Sequence, residues 1–311
     1  MRNVLVTFIL CPLILGQNEP RPVFRTSVQM VVLAFSVSDS KGRSVTGLKP
    51  DQVRIYENGV PEQIAAFSEG SRPVLSNDPK GPPGGASVFV LFDTSNGMYR
   101  MFSYAYDAVA DFVRGLDPSD AVAIYTFSRN LSRAACLTSD RGLTRAGLLN
   151  IVAGDDTALF NAILLTLRDA ARVPGRKAIV VFSNGPDNAS MVSPGDVARV
   201  AEDSGIPIYI VSTQDPDKEH PLATALNAIT KRSGGKLYWA PRWQDQNPAF
   251  QSVHTDIVSS YTACYYPAPD AGPGFRNIEV KIVAPEAGKW HVRVRAGYQP
   301  QNDETDGRGK F

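Results

Sequence analysis

The chain has 311 residues, room for one large domain or two medium ones, with 43% hydrophobic residues and a formal net charge of +1. Lys/Arg and Asp/Glu are interspersed, so no basic stripe for nucleic acid or for an anionic membrane is present. Three cysteines in a chain of this length exclude a disulfide framework.

The N-terminus reads MRNVLVTFILCPLILGQ, with Arg2, an apolar run over 4–15, and Gly16 before a polar stretch. This is the layout of a secretory signal peptide over 1–16. The alternatives are a buried first strand or a membrane anchor, but the run is shorter than the roughly 20 residues that cross a bilayer. Cys11 lacks the small residues expected ahead of a lipidated cysteine. The expectation is an exported protein, periplasmic or extracellular, with no membrane span in the mature chain. Cleavage would leave Cys136 and Cys264, which an oxidising compartment could pair in a disulfide or which could stay as unbonded thiols, because spacing does not show proximity.

Residues 22–70 read as an N-terminal β segment. VQMVVLAFSVSD places Val31, Leu33, Phe35 and Val37 on one face of a strand. A turn follows at Asp39-Ser40-Lys41-Gly42, and Asn58-Gly59 is a hairpin signal. SRPVLSNDPKGPPGGAS, residues 71–87, reads as a Pro/Gly/Ser-rich linker.

From 88 to 260 short apolar runs alternate with helical periods. The runs are 88–92, 121–127, 177–183, 206–212 and 236–240. Tyr104, Ala108, Val109, Phe112, Val113 and Leu116 repeat at helical spacing after the first run. Further helices are expected at 144–152, 157–171, 193–204, 222–232 and 248–260. The helix at 193 has Ser193 as cap, Pro194 in its first turn and Asp196 three residues on. This alternation specifies a mostly parallel, doubly wound (Rossmann-like) α/β sheet. The segment 261–298 returns to β, with Ile278, Val280 and Ile282 on one face. A short β block at each end suggests one small β-sandwich, 22–70 packing with 261–298, since two- and three-strand pieces alone are marginal. Residues 299–311 read as a disordered tail.

In an open α/β sheet, ligands bind beyond the carboxyl ends of the strands. Three stretches there are rich in oxygen: Asp93-Thr94-Ser95-Asn96-Gly97, Gly154-Asp155-Asp156-Thr157 and Ser183-Asn184-Gly185-Pro186-Asp187-Asn188. One carboxylate with several hydroxyls is a partial cage for a hard divalent cation. The same residues could merely cap helices or form a turn.

These stretches, DTSNG, DDTALFNAI and FSNGPDN, together with the downstream VKIVAPEAG and VRVRAGY, carry a resemblance. The chain resembles the von Willebrand factor type A domain proteins, and among them the exported bacterial VWFA-related family, over essentially the whole mature chain. The resemblance implies a metal-ion-dependent adhesion site made of an Asp-x-Ser-x-Ser loop, a threonine on a second loop and an aspartate on a third. The carboxylate of a partner protein would complete the coordination. Asp93 and Ser95 match the first loop and Thr157 the second. Gly97 stands where a second serine is expected, and Asn184 stands where the aspartate is expected. The site is thus expected to be degenerate, holding Mg²⁺ or Mn²⁺ weakly through Asp93, Ser95, Thr157 and Asn184, with Asp155 or Asp156 as compensating acids; Asp187 lies near the same edge, but Asp187-Asn188 reads as a turn rather than as a ligand.

The expected function is a secreted protein-binding module for adhesion or assembly. A metal-free structural component of the envelope is the alternative. A phosphoryl-transfer hydrolase using Asp93 ranks below both, because Ser95 stands where the acid/base aspartate would be needed. No G-x-S-x-G, P-loop or G-x-G-x-x-G pattern occurs, and His220, His254 and His291 lie in no catalytic context. Neither an enzyme nor a nucleotide or nucleic-acid binder is expected.

Overall fold

The computed structural model describes residues 30–76, 85–216, 221–268 and 274–300. The expected signal peptide, His220 and the tail from 301 onward lie outside them. The first block comprises β1 (Val31–Ser38), β2 (Val53–Glu57), β3 (Val60–Glu62), β4 (Ile64–Glu69) and β5 (Arg72–Ser76). The middle runs β6 (Ser87–Asp93), α1 (Phe102–Gly115), β7 (Ala121–Phe127), β8 (Leu131–Thr138), α2 (Arg141–Leu149), α3 (Leu159–Ala171) and β9 (Lys177–Ser183). It continues with α4 (Pro194–Ser204), β10 (Ile208–Ser212), α5 (Pro221–Ser233), β11 (Lys236–Trp239) and α6 (Trp243–Ser259). The last block is β12 (Tyr261–Tyr265), β13 (Arg276–Ile282), β14 (His291–Val294) and β15 (Gly297–Tyr298).

The central sheet has the order β11-β10-β9-β6-β7-β8, parallel except for the antiparallel edge strand β8. Strand β6 lies in the interior of this sheet and both its faces are covered, which is why VFVLF is apolar without a break. Val88, Val90 and Phe92 pack with α1 and α6, where Phe250 meets both Phe112 and Phe182. Phe89 and Leu91 pack with α3, α4 and α5 on the other side. The sheet is doubly wound, as the alternation of strands and helices required.

Two antiparallel sheets, β14-β1-β12-β4-β5 and β15-β13-β2-β3, enclose a separate core of Leu33, Phe35, Ile55, Phe67, Tyr261 and Tyr265. Both chain ends contribute to each sheet, so the small sandwich expected from the sequence is present. The four expected inward residues of β1 are buried on one face.

Several local expectations need correction. Arg72–Ser76, read as linker, is strand β5 and pairs with β4. Strand β8 was not anticipated. Helix α2 starts three residues before the expected 144, because Asp140 caps it by accepting from the Gly142 and Leu143 amides. Helix α6 starts at Trp243 rather than 248 and carries Pro248 inside it. Tyr104 was assigned to the apolar face of α1, but it is 47% exposed and stacks on Trp243. The single strand expected over 290–298 divides, β14 joining one sandwich sheet and β15 the other. Cys136, exposed on β8, and Cys264, buried in β12, are both free, so the open disulfide pairing is not made: the two thiols belong to different sheets.

Candidate functional site at the strand ends

Strand β6 is followed by β7 on one side in the sheet, whereas β9 lies on its other side, so the strand order reverses between β6 and β9. Such a switch point opens a crevice beyond the carboxyl ends of the strands. Asp93 ends β6 and Ser183 ends β9, so both face this crevice by position.

Asp93 is completely buried. Its Oδ1 accepts the Ser95 amide at 2.9 Å, and its Oδ2 accepts the Ser183 hydroxyl at 2.6 Å. Burial raises the pKa of this carboxyl above its ordinary value, and the bonds from Ser183, Ser95 and the Asn184 amide offset that only in part. The anionic form therefore sits in a place short of compensating positive charge.

Backbone bonds stitch the three loops together. Asn96 N donates to Asp155 O at 3.0 Å and Gly154 N to Thr94 O at 2.8 Å, joining the first loop to the second. Thr157 N donates to Asn188 Oδ1 at 2.8 Å, and Thr157 O accepts from Asn188 N and Ala189 N, joining the second to the third. Thr157 is therefore held by its main chain to the third loop and is 5% exposed.

Asn184 lies against Gly97. A Cβ added at Gly97 would overlap the Asn184 amide nitrogen, so the two departures from the adhesion-site pattern share one volume. The Ser95 hydroxyl stands beside the Asp93 carboxylate without closing a hydrogen bond of good geometry. Ser95 Oγ and Asn184 Oδ1 are both buried with no partner among the described residues. Two orphan buried oxygens beside a buried carboxylate are an unusual cost, since each unsatisfied group forfeits about 1–3 kcal/mol.

The acids expected to compensate are otherwise engaged. Asp156 pairs with Arg129 and also accepts from Asn188 Nδ2. Asp187 accepts from Phe160 N at 2.8 Å and from Ser190 N at 2.9 Å, which makes it the cap of α3, whose own N-cap residue is Ala158. Asp155 is exposed, and its carbonyl rather than its carboxylate ties the first loop. Asp156 is thus engaged by Arg129 and Asn188, and Asp187 does local work at the third loop, as the turn reading of Asp187-Asn188 expected. Among the described residues, no three His, Cys, Asp or Glu side chains form a metal-holding group. The oxygens of Asp93, Ser95 and Asn184 fit a hard cation in donor type, with a single formal charge to offset it. Ser183 was the residue missed. Its signal was visible, because the run KAIVVF ends in a hydroxyl as VFVLF ends in an acid.

The fold is thus a doubly wound α/β sheet with a polar crevice at its switch point. A family model of the von Willebrand factor type A domain matches residues 87–251, just over half of the chain, and the chain belongs to this family. Members are protein-interaction modules, often with a metal-ion-dependent adhesion site. Among solved structures, BatB from Bacteroides thetaiotaomicron is similar at 19% identity, with 56% of this chain and 97% of that chain covered and a TM-score of 0.45. A von Willebrand factor type A protein from Catenulispora acidiphila is similar at 13% identity over 90% of this chain and 76% of that one, with a TM-score of 0.48. Proximal thread matrix protein 1 from the mussel byssus, solved with zinc in its MIDAS motif, is similar at 14% identity over 56% of this chain and 48% of that one, with a TM-score of 0.49. No curated protein matches the chain. Among the described residues, no helix is long and apolar enough to cross a membrane.

Proposed function

We propose that the chain is an exported protein-binding module whose strand-end crevice takes a divalent cation weakly and, through it, an acidic side chain of a partner protein. The observation that supports this most is the buried Asp93 carboxylate, with Ser95 Oγ and Asn184 Oδ1 in the same crevice unpartnered among the described residues. Asp93, Ser95, Thr157 and Asn184 would hold Mg²⁺ or Mn²⁺, which when bound would supply a positive point for the partner's carboxylate. The chain's own part is to keep the Asp93 carboxylate out of water and fixed in direction. Ser95 N and Ser183 Oγ hold one carboxylate oxygen each, and the stitched loops hold Ser95 and Asn184 in place.

Calorimetric titration with Mn²⁺ tests the reading. Wild-type protein should bind with a Kd near the millimolar range, about −4 kcal/mol, and Asp93→Ala should show no binding. An absence of heat from the wild type would leave the second reading, a metal-free structural component of the envelope. That reading draws on the single carboxylate in the site.

A further inference from the structure

The sequence has Asn followed by Gly at Asn58-Gly59, Asn96-Gly97 and Asn184-Gly185. In such a pair the glycine nitrogen has no side chain shielding it from the asparagine side-chain carbon. The fold treats the three pairs differently. Asn58 is pinned at both ends of its backbone and side chain: Asn58 N donates to Asn277 O at 2.9 Å, and Asn58 Oδ1 accepts from Asn277 N at 2.9 Å. Asn96 is exposed and opens the 3-10 turn Asn96–Met101. At the third pair, Gly185 has φ +115°, and its N–H donates to Ser183 Oγ at 3.1 Å. That hydroxyl donates in turn to Asp93 Oδ2 at 2.6 Å. Asn184 Oδ1 has no partner among the described residues, and the amide nitrogen rests on Gly97, where the lack of a Cβ leaves it room.

We propose that Asn184 is a self-modifying position, converted to an acidic residue by closure of the Gly185 nitrogen onto its side-chain carbon. A bond forms between Gly185 N and Asn184 Cγ, and the bond from Cγ to Nδ2 breaks. The proton leaving Gly185 N passes to Ser183 Oγ as that hydroxyl hands its own proton to Asp93 Oδ2. The departing amide nitrogen takes a proton from water and leaves as ammonia, and Asp93 Oδ2 returns its proton to the hydroxide so formed. Water then opens the five-membered imide, at Cγ to give an aspartate or at the main-chain carbonyl to give the iso-aspartate. The sum is amide plus water going to acid plus ammonia, with no oxidation or reduction.

The consequence, though not the chemistry, rests on the cation reading above. Opening at Cγ adds a second carboxylate beside Asp93 and restores the original backbone, with its Gly185 N–H bond to Ser183 Oγ, whereas opening at the main-chain carbonyl lengthens the backbone by one carbon. The chain would thereby mature from a weak cation site to a stronger one after synthesis.

The test is a time course of the purified full chain at neutral pH, with peptide mass spectrometry reading conversion at each of the three pairs. In the folded protein, position 184 should convert fastest. Ser183→Ala should slow it by at least roughly tenfold, a part of the about 10²-fold or more that a positioned proton acceptor supplies, while conversion at Asn96 stays unchanged. Equal or slower conversion at 184 than at Asn58 or Asn96 in the folded wild type would overturn the proposal, and this comparison needs no variant. A rate at 184 indifferent to Ser183→Ala would also overturn it. Mn²⁺ titration of the converted fraction separates the two readings. Conversion with at least about tenfold tighter binding supports both, whereas conversion with unchanged binding keeps the modification and removes the cation.

Discussion

At the scale of single residues, the two departures from the adhesion-site pattern behave as one feature. Gly97 is vacant because the Asn184 amide occupies the space a side chain would need. Gly97→Ser alone should therefore lower stability by about 1–3 kcal/mol through overpacking, read as a fall in Tm, without tightening Mn²⁺. Asn184→Asp alone should tighten Mn²⁺ by roughly tenfold, about 1.4 kcal/mol, because it adds charge without adding volume. An unaltered Tm in Gly97→Ser would show that the amide is not seated there. Asp93, Ser95, Thr157 and Asn184 became candidates through the resemblance to the adhesion-site pattern, while the apolar runs before them marked only where the strands end. The sequence did not make the contact between Gly97 and Asn184 legible, nor the bond from Ser183 to Asp93, because residues some ninety positions apart meet only once β6 and β9 are neighbours.

At the scale of elements, the third loop has two duties. Asp187 occupies the oxygen-rich stretch, yet it serves α3 by accepting from Phe160 N and Ser190 N. Asp187→Ala should cost about 1–2 kcal/mol, the usual worth of a helix cap, and leave the heat of Mn²⁺ binding unchanged. A loss of that heat would return Asp187 to the metal. The elements misread from sequence fail for identifiable reasons. Strand β8, LSRAACLT, is an edge strand with one buried residue, Ala135, so it lacks the alternation of a half-buried strand. Strand β5 contains Pro73, a residue suited to edges, and runs into a Pro/Gly-rich stretch. Pro248 looked like a helix start, whereas Asp245 opens α6 earlier by accepting the Arg242 amide and guanidinium.

At the scale of the whole molecule, arginines bind the sandwich to the α/β unit. Arg295, at the corner where the chain passes from β14 to β15, is 5% exposed and donates through Nη1 to the Glu202 and Asp203 carbonyls at 3.0 Å each. These carbonyls end α4, where a cation meets the negative end of the helix dipole. Burial lowers the pKa of Arg295. Arg293 reaches Asp256 of α6 at 2.7 Å, and the Tyr238 hydroxyl donates to the same carboxylate oxygen at 2.6 Å. Arg295→Ala should cost roughly 2–3 kcal/mol, the worth of charge-assisted bonds left unmade, and should separate the unfolding of the two units in calorimetry. A single transition at the wild-type temperature would show that the junction is held elsewhere. Strand β12 also has a consequence in time. It lies between β1 and β4, inside the five-stranded sheet rather than at its edge. A ribosome releases β1 and β4 long before β12, so the emerging N-terminal strands have a gap in their sheet until the whole α/β insertion has been made. Such non-local pairing is slow to form and leaves apolar strand edges open meanwhile. The sandwich is therefore the last part to close, and its early strands are where a nascent chain would need shielding.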